Sequence, residues 1–143
     1  MKLIDANVLI YAVNSDAPHH ERAKRWFEST LSGTETVGIA WSVLLAFLRV
    51  TTRHGILDRP LSVKDALEYI DSWLDHPSVR LVVPADSHWA IVRNLIATSG
   101  TAGNLTSDAH LAALAIEGGW TLVSTDNDFR RFSGLAVFNP AAS

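Results

Sequence analysis

Leu3-Ile4-Asp5-Ala6-Asn7-Val8-Leu9-Ile10-Tyr11-Ala12 opens the chain with a short apolar run of β-permissive residues, then an acid, then a segment that can continue only as a turn and a short helix. The order is strand, acid, helix. The same phrase returns downstream. Thr36 to Ile39 reads as a strand, and Trp41 to Thr52, nearly all apolar until Arg49, reads as a helix buried on most sides and closed by Gly55. Val79 to Val83 reads as a further strand, after which Asp86 opens a helix with Trp89, Val92, Leu95 and Ile96 on one face and Gly100 past its end. Thr121 to Ser124 is the next strand, and Leu135 to Phe138, just before Pro140, a last strand at a sheet edge. Continuous apolar strands alternating with helices specify a mostly parallel sheet covered on both faces. The expected fold class is α/β, a three-layer α/β/α sandwich.

The remaining helices carry their own start and stop signals. Asp16-Ala17-Pro18 offers a cap and a first-turn proline to a helix striped by Ala23, Trp26, Phe27, Thr30 and Leu31 and ending before Gly33. Ser62-Val63-Lys64-Asp65 resembles a capping box, backed by Val63, Ala66, Leu67, Ile70 and Leu74 and stopped by Pro77. Thr106-Ser107 lead into Asp108-Ala109-His110-Leu111-Ala112-Ala113-Leu114-Ala115, strong helix formers ended by Gly118-Gly119.

With 143 residues, the chain is expected to form one domain over 1–143, and 48% apolar residues with five Trp fill its core. A net charge of −3 with 19% charged residues excludes the strongly basic and the charge-rich disordered classes, so any nucleic-acid contact must be local. Zero Cys removes disulfides, thiolate metal sites and a cysteine nucleophile. Asp5 and Asn7 interrupt the apolar amino terminus, and the longest apolar stretch, Val37 to Leu48, is too short to span a bilayer. A soluble, cytoplasmic protein with no membrane association is expected.

The chemistry collects where parallel strands end, because the loops there form the crevice. Asp5 ends the first strand, Asp126 and Asp128 follow the strand ending at Ser124, and Asp108 sits in the first turn of the Ala-rich helix. Taken singly, Asp108 suits a helix amino terminus and Asp126 or Asp128 an ordinary turn. Asp5 is costlier, since an acid directly terminating a buried strand needs compensation. Brought together, the four carboxylates would repel one another unless a hard cation neutralised them, and oxygen-only ligands favour Mg²⁺, with Mn²⁺ as substitute. Asn7 either assists Asp5 through a polar contact or caps the short helix, and the cap is the favoured reading. The six His show no metal-ligand spacing and read as surface or core residues. Trp26, Trp41, Trp73 and Trp89 fall on apolar helical faces suited to core or dimer packing. Of the basic residues, Arg22, Lys24 and Arg25 form one group, but Arg53, Arg130 and Arg131 are the better candidates for holding phosphate near the acids.

Leu3 to Leu9, Thr106 to Ala113 and Leu122 to Phe129 together resemble the acidic motifs of PIN-domain ribonucleases in order and spacing. The small size, the Val43-Leu44-Leu45-Ala46-Phe47-Leu48-Arg49 helix and the Phe138-Asn139-Pro140 ending are similar to the VapC toxins of bacterial toxin–antitoxin pairs. This resemblance implies a Mg²⁺-dependent endoribonuclease that cleaves RNA by a metal-activated water. Asp5, Asp108 and Asp126 would bind the ion, Asp128 would be an outer or second-metal ligand, and Ser124 would orient an acid or water. It also implies a homodimer and a cognate antitoxin across the acidic crevice. One position departs from the family: a Glu three residues before Arg49 is usual, and here it is Ala46. Either the metal is held by fewer protein oxygens and more waters, or Glu35 or Asp128 substitutes, or activity is weak. Two other readings compete. One is a non-catalytic PIN-like interaction module. The other is an aspartate-dependent phosphatase, which would want Asp and Thr where Asn7 and Leu9 stand.

Overall fold

The computed structural model describes residues 1–142. Five strands, β1 (Lys2–Ile4), β2 (Val37–Ala40), β3 (Val79–Val82), β4 (Thr121–Val123) and β5 (Val137–Phe138), form one sheet in the order β3-β2-β1-β4-β5. All pairings are parallel, with Leu3 opposite Gly38 on one side and Leu122 on the other. The expectation of a mostly parallel sheet is therefore met in full. The helices are α1 (Ala6–Val13), α2 (His20–Ser32), α3 (Trp41–Thr52), α4 (Val63–Asp75), α5 (His88–Ser99) and α6 (Thr106–Gly118). α1 packs on α2 and α3, α3 packs on α4, and α5 pairs with α6. Crossovers between parallel strands are right-handed, so the connections stepping from β1 out to β3 cover one face and the returning connection to β4 covers the other. Strand order changes direction between β1 and β4, which opens a crevice at their carboxyl ends.

The central strands are the buried ones. Leu3, Ile4, Val37, Ile39, Leu122 and Val123 are inaccessible to solvent, as strands covered on both faces require. Against them lie Val8, Leu9, Phe47 and Leu114, and an aromatic cluster joins Phe27 and Phe47 to Trp73 edge-on. Gly38 is where Trp120 crosses the sheet: a Cβ there would lie 2.9 Å from the indole and 2.7 Å from Val82. Gly119 holds a φ of +70° at the end of α6, as the Gly-Gly pair foretells. Among the described residues no helix is long and apolar enough to cross a membrane.

Several local expectations change in the fold. Val79 to Val83 is an outer edge rather than a buried strand: only Val79–Val82 pair, Arg80 and Leu81 face solvent, and the Arg80 charge is a common defence against edge-to-edge association. The last strand shortens to Val137–Phe138 but does lie at the opposite edge. Asp16 does not cap α2, which starts at His20 without a side-chain cap, because the Asp16 carboxylate is engaged by Arg59 at 2.6 Å. Asp86 precedes α5 by two residues and leaves its start to Ser87. Ser62 does cap α4, accepting from the Asp65 amide at 3.1 Å. Trp73 joins the core, but Trp41 and Trp89 stand 54% and 69% exposed, so neither is a core residue.

Candidate metal centre and active site

Asp5 reaches the crevice because its own amide continues the sheet, donating to the Val123 carbonyl at 2.9 Å. Its carboxylate is then held from three directions. Oδ1 accepts from the Ala6 amide at 2.7 Å, which makes Asp5 the cap of α1, and Oδ2 accepts from the Ser124 hydroxyl at 2.8 Å and Asn7 Nδ2 at 3.2 Å. Asn7 is thus not the cap. It also donates to Ser124 Oγ at 3.1 Å and accepts from the Thr125 amide at 3.3 Å, tying the end of β1 to the loop after β4. Ser124 is buried and its Oγ accepts from the Asp126 amide at 3.0 Å, while Asp126 Oδ1 accepts from the Asp128 amide at 2.9 Å. Each bond fixes the next acid in the series.

Ligand oxygens of Asp108, Asp126 and Asp128 come together within 4.8 Å of one another. Asp5 stands beside this group rather than in it, so the trio is not the Asp5, Asp108 and Asp126 set implied by the resemblance. Asp108 nevertheless lies within reach of the charges of all three other acids. Burial, and then the charges of Asp126, Asp5 and Asp128, push the Asp108 carboxyl up to about 6. Burial also raises Asp5, with the Asp126 charge adding to it and the Ser124 and Ala6 hydrogen bonds opposing it. Carboxylates held this close in a partly buried place lack a counter-charge. Three oxygens at that separation and no nitrogen or sulfur donor suit a hard divalent ion completed by waters, so the residues present fit the expected metal.

A cavity of about 320 Å³ opens beside the cluster, with Asp5 and Asp108 on one side and Ser42, Ala46 and Arg49 of α3 on the other. Ala46 therefore faces the acids, where the usual family carboxylate would point. Glu35 cannot replace it: its carboxylate pairs with the amino terminus at 2.8 Å and approaches Lys2 Nζ at 3.9 Å, at the opposite end of the strands. Asp128, by contrast, already lies in the cluster. Arg53 is exposed at the carboxyl cap of α3, outside the residues that line this cavity. Arg130 and Arg131 are exposed in the 3₁₀ turn of Asn127–Arg131 that begins directly after Asp126. Sequence reasoning overlooked Arg49 as a site residue, although its spacing of three from Ala46 places both on one helical face. It also left unseen that His88 and His110 meet. His88 Nε2 lies 2.8 Å from His110 Nδ1, and His88 Nδ1 lies 2.7 Å from Glu117 Oε1, joining α5 to α6 on the side away from Asp108. No local spacing announces a pair drawn from two different helices.

The acids thus gather in the crevice at the switch point of a parallel sheet, where loops at the carboxyl ends of strands form binding sites. The family profile described as PIN domain matches residues 2–135. Ribonuclease VapC37 of Mycobacterium tuberculosis is 46% identical over 142 residues, covering 99% of both chains, and Ribonuclease VapC33 of the same species is 38% identical over 98% of both. In fold, the chain is similar to VapBC2 from Rickettsia felis bound to a DNA fragment from its promoter. The TM-score is 0.71 at 18% identity, over 96% of this chain and 97% of that one. The chain belongs to the PIN-domain family, and within it to the VapC ribonucleases.

Proposed function

We propose that the protein is a toxin-type endoribonuclease that hydrolyses RNA phosphodiester bonds with Mg²⁺, Mn²⁺ being able to substitute. The convergence of Asp108, Asp126 and Asp128 at the carboxyl ends of β1 and β4 carries this reading. These three would hold the ion together with Asp5, and a bound ion supplies there a water acidified enough to attack phosphorus, and positive charge for the phosphate oxygens. Asp5 contributes a second, fixed negative edge whose orientation Ser124 and Asn7 maintain. Ser124 is then a positioning residue that holds Asp5 with its hydroxyl and Asp126 through that residue's amide. Arg53, Arg130 and Arg131 would contact flanking phosphates, and a loop in a structured RNA is the expected target, since base recognition needs bases splayed from the helix.

A cognate antitoxin is the proposed partner, in keeping with the VapBC complex that the fold resembles. A homodimer is proposed from the exposed Trp41, Leu45 and Trp89, large apolar side chains that a lone chain leaves in water. Action in the cytoplasm follows from an RNA substrate. A non-catalytic module would keep the fold and partner but lose cleavage. A phosphatase acting through Asp5 is disfavoured by the clamp on both its oxygens. The deciding measurement is cleavage of a labelled structured RNA in Mg²⁺ by the wild type and by Asp108→Asn. Cleavage by the first alone supports the nuclease, and none by either, with the fold intact, supports the inactive module.

A further inference from the structure

We infer that Arg49, with Ser42 and Ser107 on the rim, forms a phosphate-binding subsite that draws an RNA phosphate up to the acidic centre, an inference that rests on the ribonuclease reading above. Arg49 is the one cation among the residues lining the cavity that Asp5 and Asp108 share. It is exposed, no carboxylate among the described residues comes within ion-pairing distance of its guanidinium, and the charges that shift Asp5 and Asp108 are all carboxylates. The guanidinium is therefore free of the acids whose cavity it shares.

That freedom has a local cause in Ala46. A Glu at that position would stand three residues before Arg49 on the same helical face, the spacing at which acid and base pair along a helix. With a methyl group instead, nothing on α3 neutralises Arg49, and space opens between it and Asp108. The physical need for such a cation is plain. A phosphodiester anion entering a crevice of four carboxylates, on a chain of net charge −3, meets repulsion that one bound divalent ion only partly cancels. A guanidinium offers two parallel donors matched to the non-bridging phosphate oxygens, which an ammonium does not. The Ser42 and Ser107 hydroxyls border the same cavity and can donate to the same group.

The test measures cleavage of a labelled single-stranded RNA oligonucleotide in Mg²⁺, and its binding in EDTA by fluorescence anisotropy, for the wild type, Arg49→Ala, Arg49→Lys, Ala46→Glu and the control Arg80→Ala. Arg49→Ala should raise KM and the EDTA dissociation constant about tenfold while lowering kcat less, and should reduce the salt slope of binding by about one. Arg49→Lys should recover only part of the loss, and Arg80→Ala none should be lost. Ala46→Glu should mimic Arg49→Ala in binding, because the new carboxylate would occupy the guanidinium. Wild-type binding parameters in Arg49→Ala, or improved cleavage in Ala46→Glu with unchanged RNA affinity, overturn the subsite. If the wild type cleaves no RNA, the nuclease reading fails, and the anisotropy comparison still decides the subsite: a tenfold difference supports it and equal binding removes it.

Discussion

The Ser124 hydroxyl donates to Asp5 Oδ2 at 2.8 Å, joining the ends of two adjacent strands across 119 residues of sequence. One buried oxygen also receives the Asp126 amide and Asn7 Nδ2, so three parts of the acidic site share a single small side chain. Ser124→Ala would leave those donors and the Asp5 oxygen short of partners. A loss of about 1–3 kcal/mol in urea unfolding is expected. A larger proportional loss is expected in Mn²⁺ affinity, because Asp5 and Asp126 would both be freed. A variant as stable as the wild type that binds Mn²⁺ equally well would show that the hydroxyl does not organise the site.

Metal binding should be saturable and should depend on the clustered acids together. In Mn²⁺ titrations followed by electron paramagnetic resonance, Asp108→Asn and Asp126→Asn should each weaken binding by tenfold or more, roughly, since each removes one anionic oxygen from a shared centre. Their effects on cleavage should be non-additive, the double variant being little worse than either single one. Independent, additive losses would mean that the acids serve different tasks.

The raised Asp108 carboxyl makes the metal-free protein sensitive to pH, and the sign follows directly. The folded state takes up a proton as pH falls through about 6, whereas the unfolded chain waits until the ordinary carboxylate range. Acidification from neutral pH towards that range therefore stabilises the fold through this group, and ionisation above pH 6 costs stability. In EDTA, Asp108→Asn should melt at a higher temperature than the wild type at pH 7.5, with the advantage shrinking near pH 5. Adding Mn²⁺ should reverse the order by stabilising the wild type more than the variant. An advantage that does not vary with pH would place the cause outside the carboxylate charges.

Gly38→Ala tests the packing under the site. The added Cβ would meet Val82 and the Trp120 indole well inside contact distance, in a strand whose flanking residues are fully buried. Destabilisation of about 1–3 kcal/mol is expected from overpacking, with a red-shifted Trp emission if the indole is pushed outward. Stability unchanged within error would show that Trp120 moves aside freely.

Exposed Trp41, Leu45 and Trp89 should lie between two copies if the chain dimerises. Light scattering should report a dimer for the wild type, and Trp41→Glu with Leu45→Glu should shift it to monomer without loss of helical content. A monomer at every concentration in the wild type defeats the dimer.

Much of this protein was legible in its residues taken in order. Apolar runs too continuous for a one-sided sheet announced parallel strands, Gly119 and Ser62 marked helix ends, and Asp5, Asp108, Asp126 and Asp128 stood at strand ends or first turns, because these signals act between neighbours along the chain. The tertiary structure decided everything that depends on distance between segments. It set Val79–Val82 at the sheet edge, since pairing order is a global choice. Asn7 became a bridge rather than a cap because Ser124 and Thr125, far along the chain, compete for its amide. Glu35 was sent to the far end of the strands, and His88 was matched with His110. Ala46 and Arg49 were turned toward the acids, a facing set by the packing of α3, since periodicity puts two residues on one face and only packing says what that face meets.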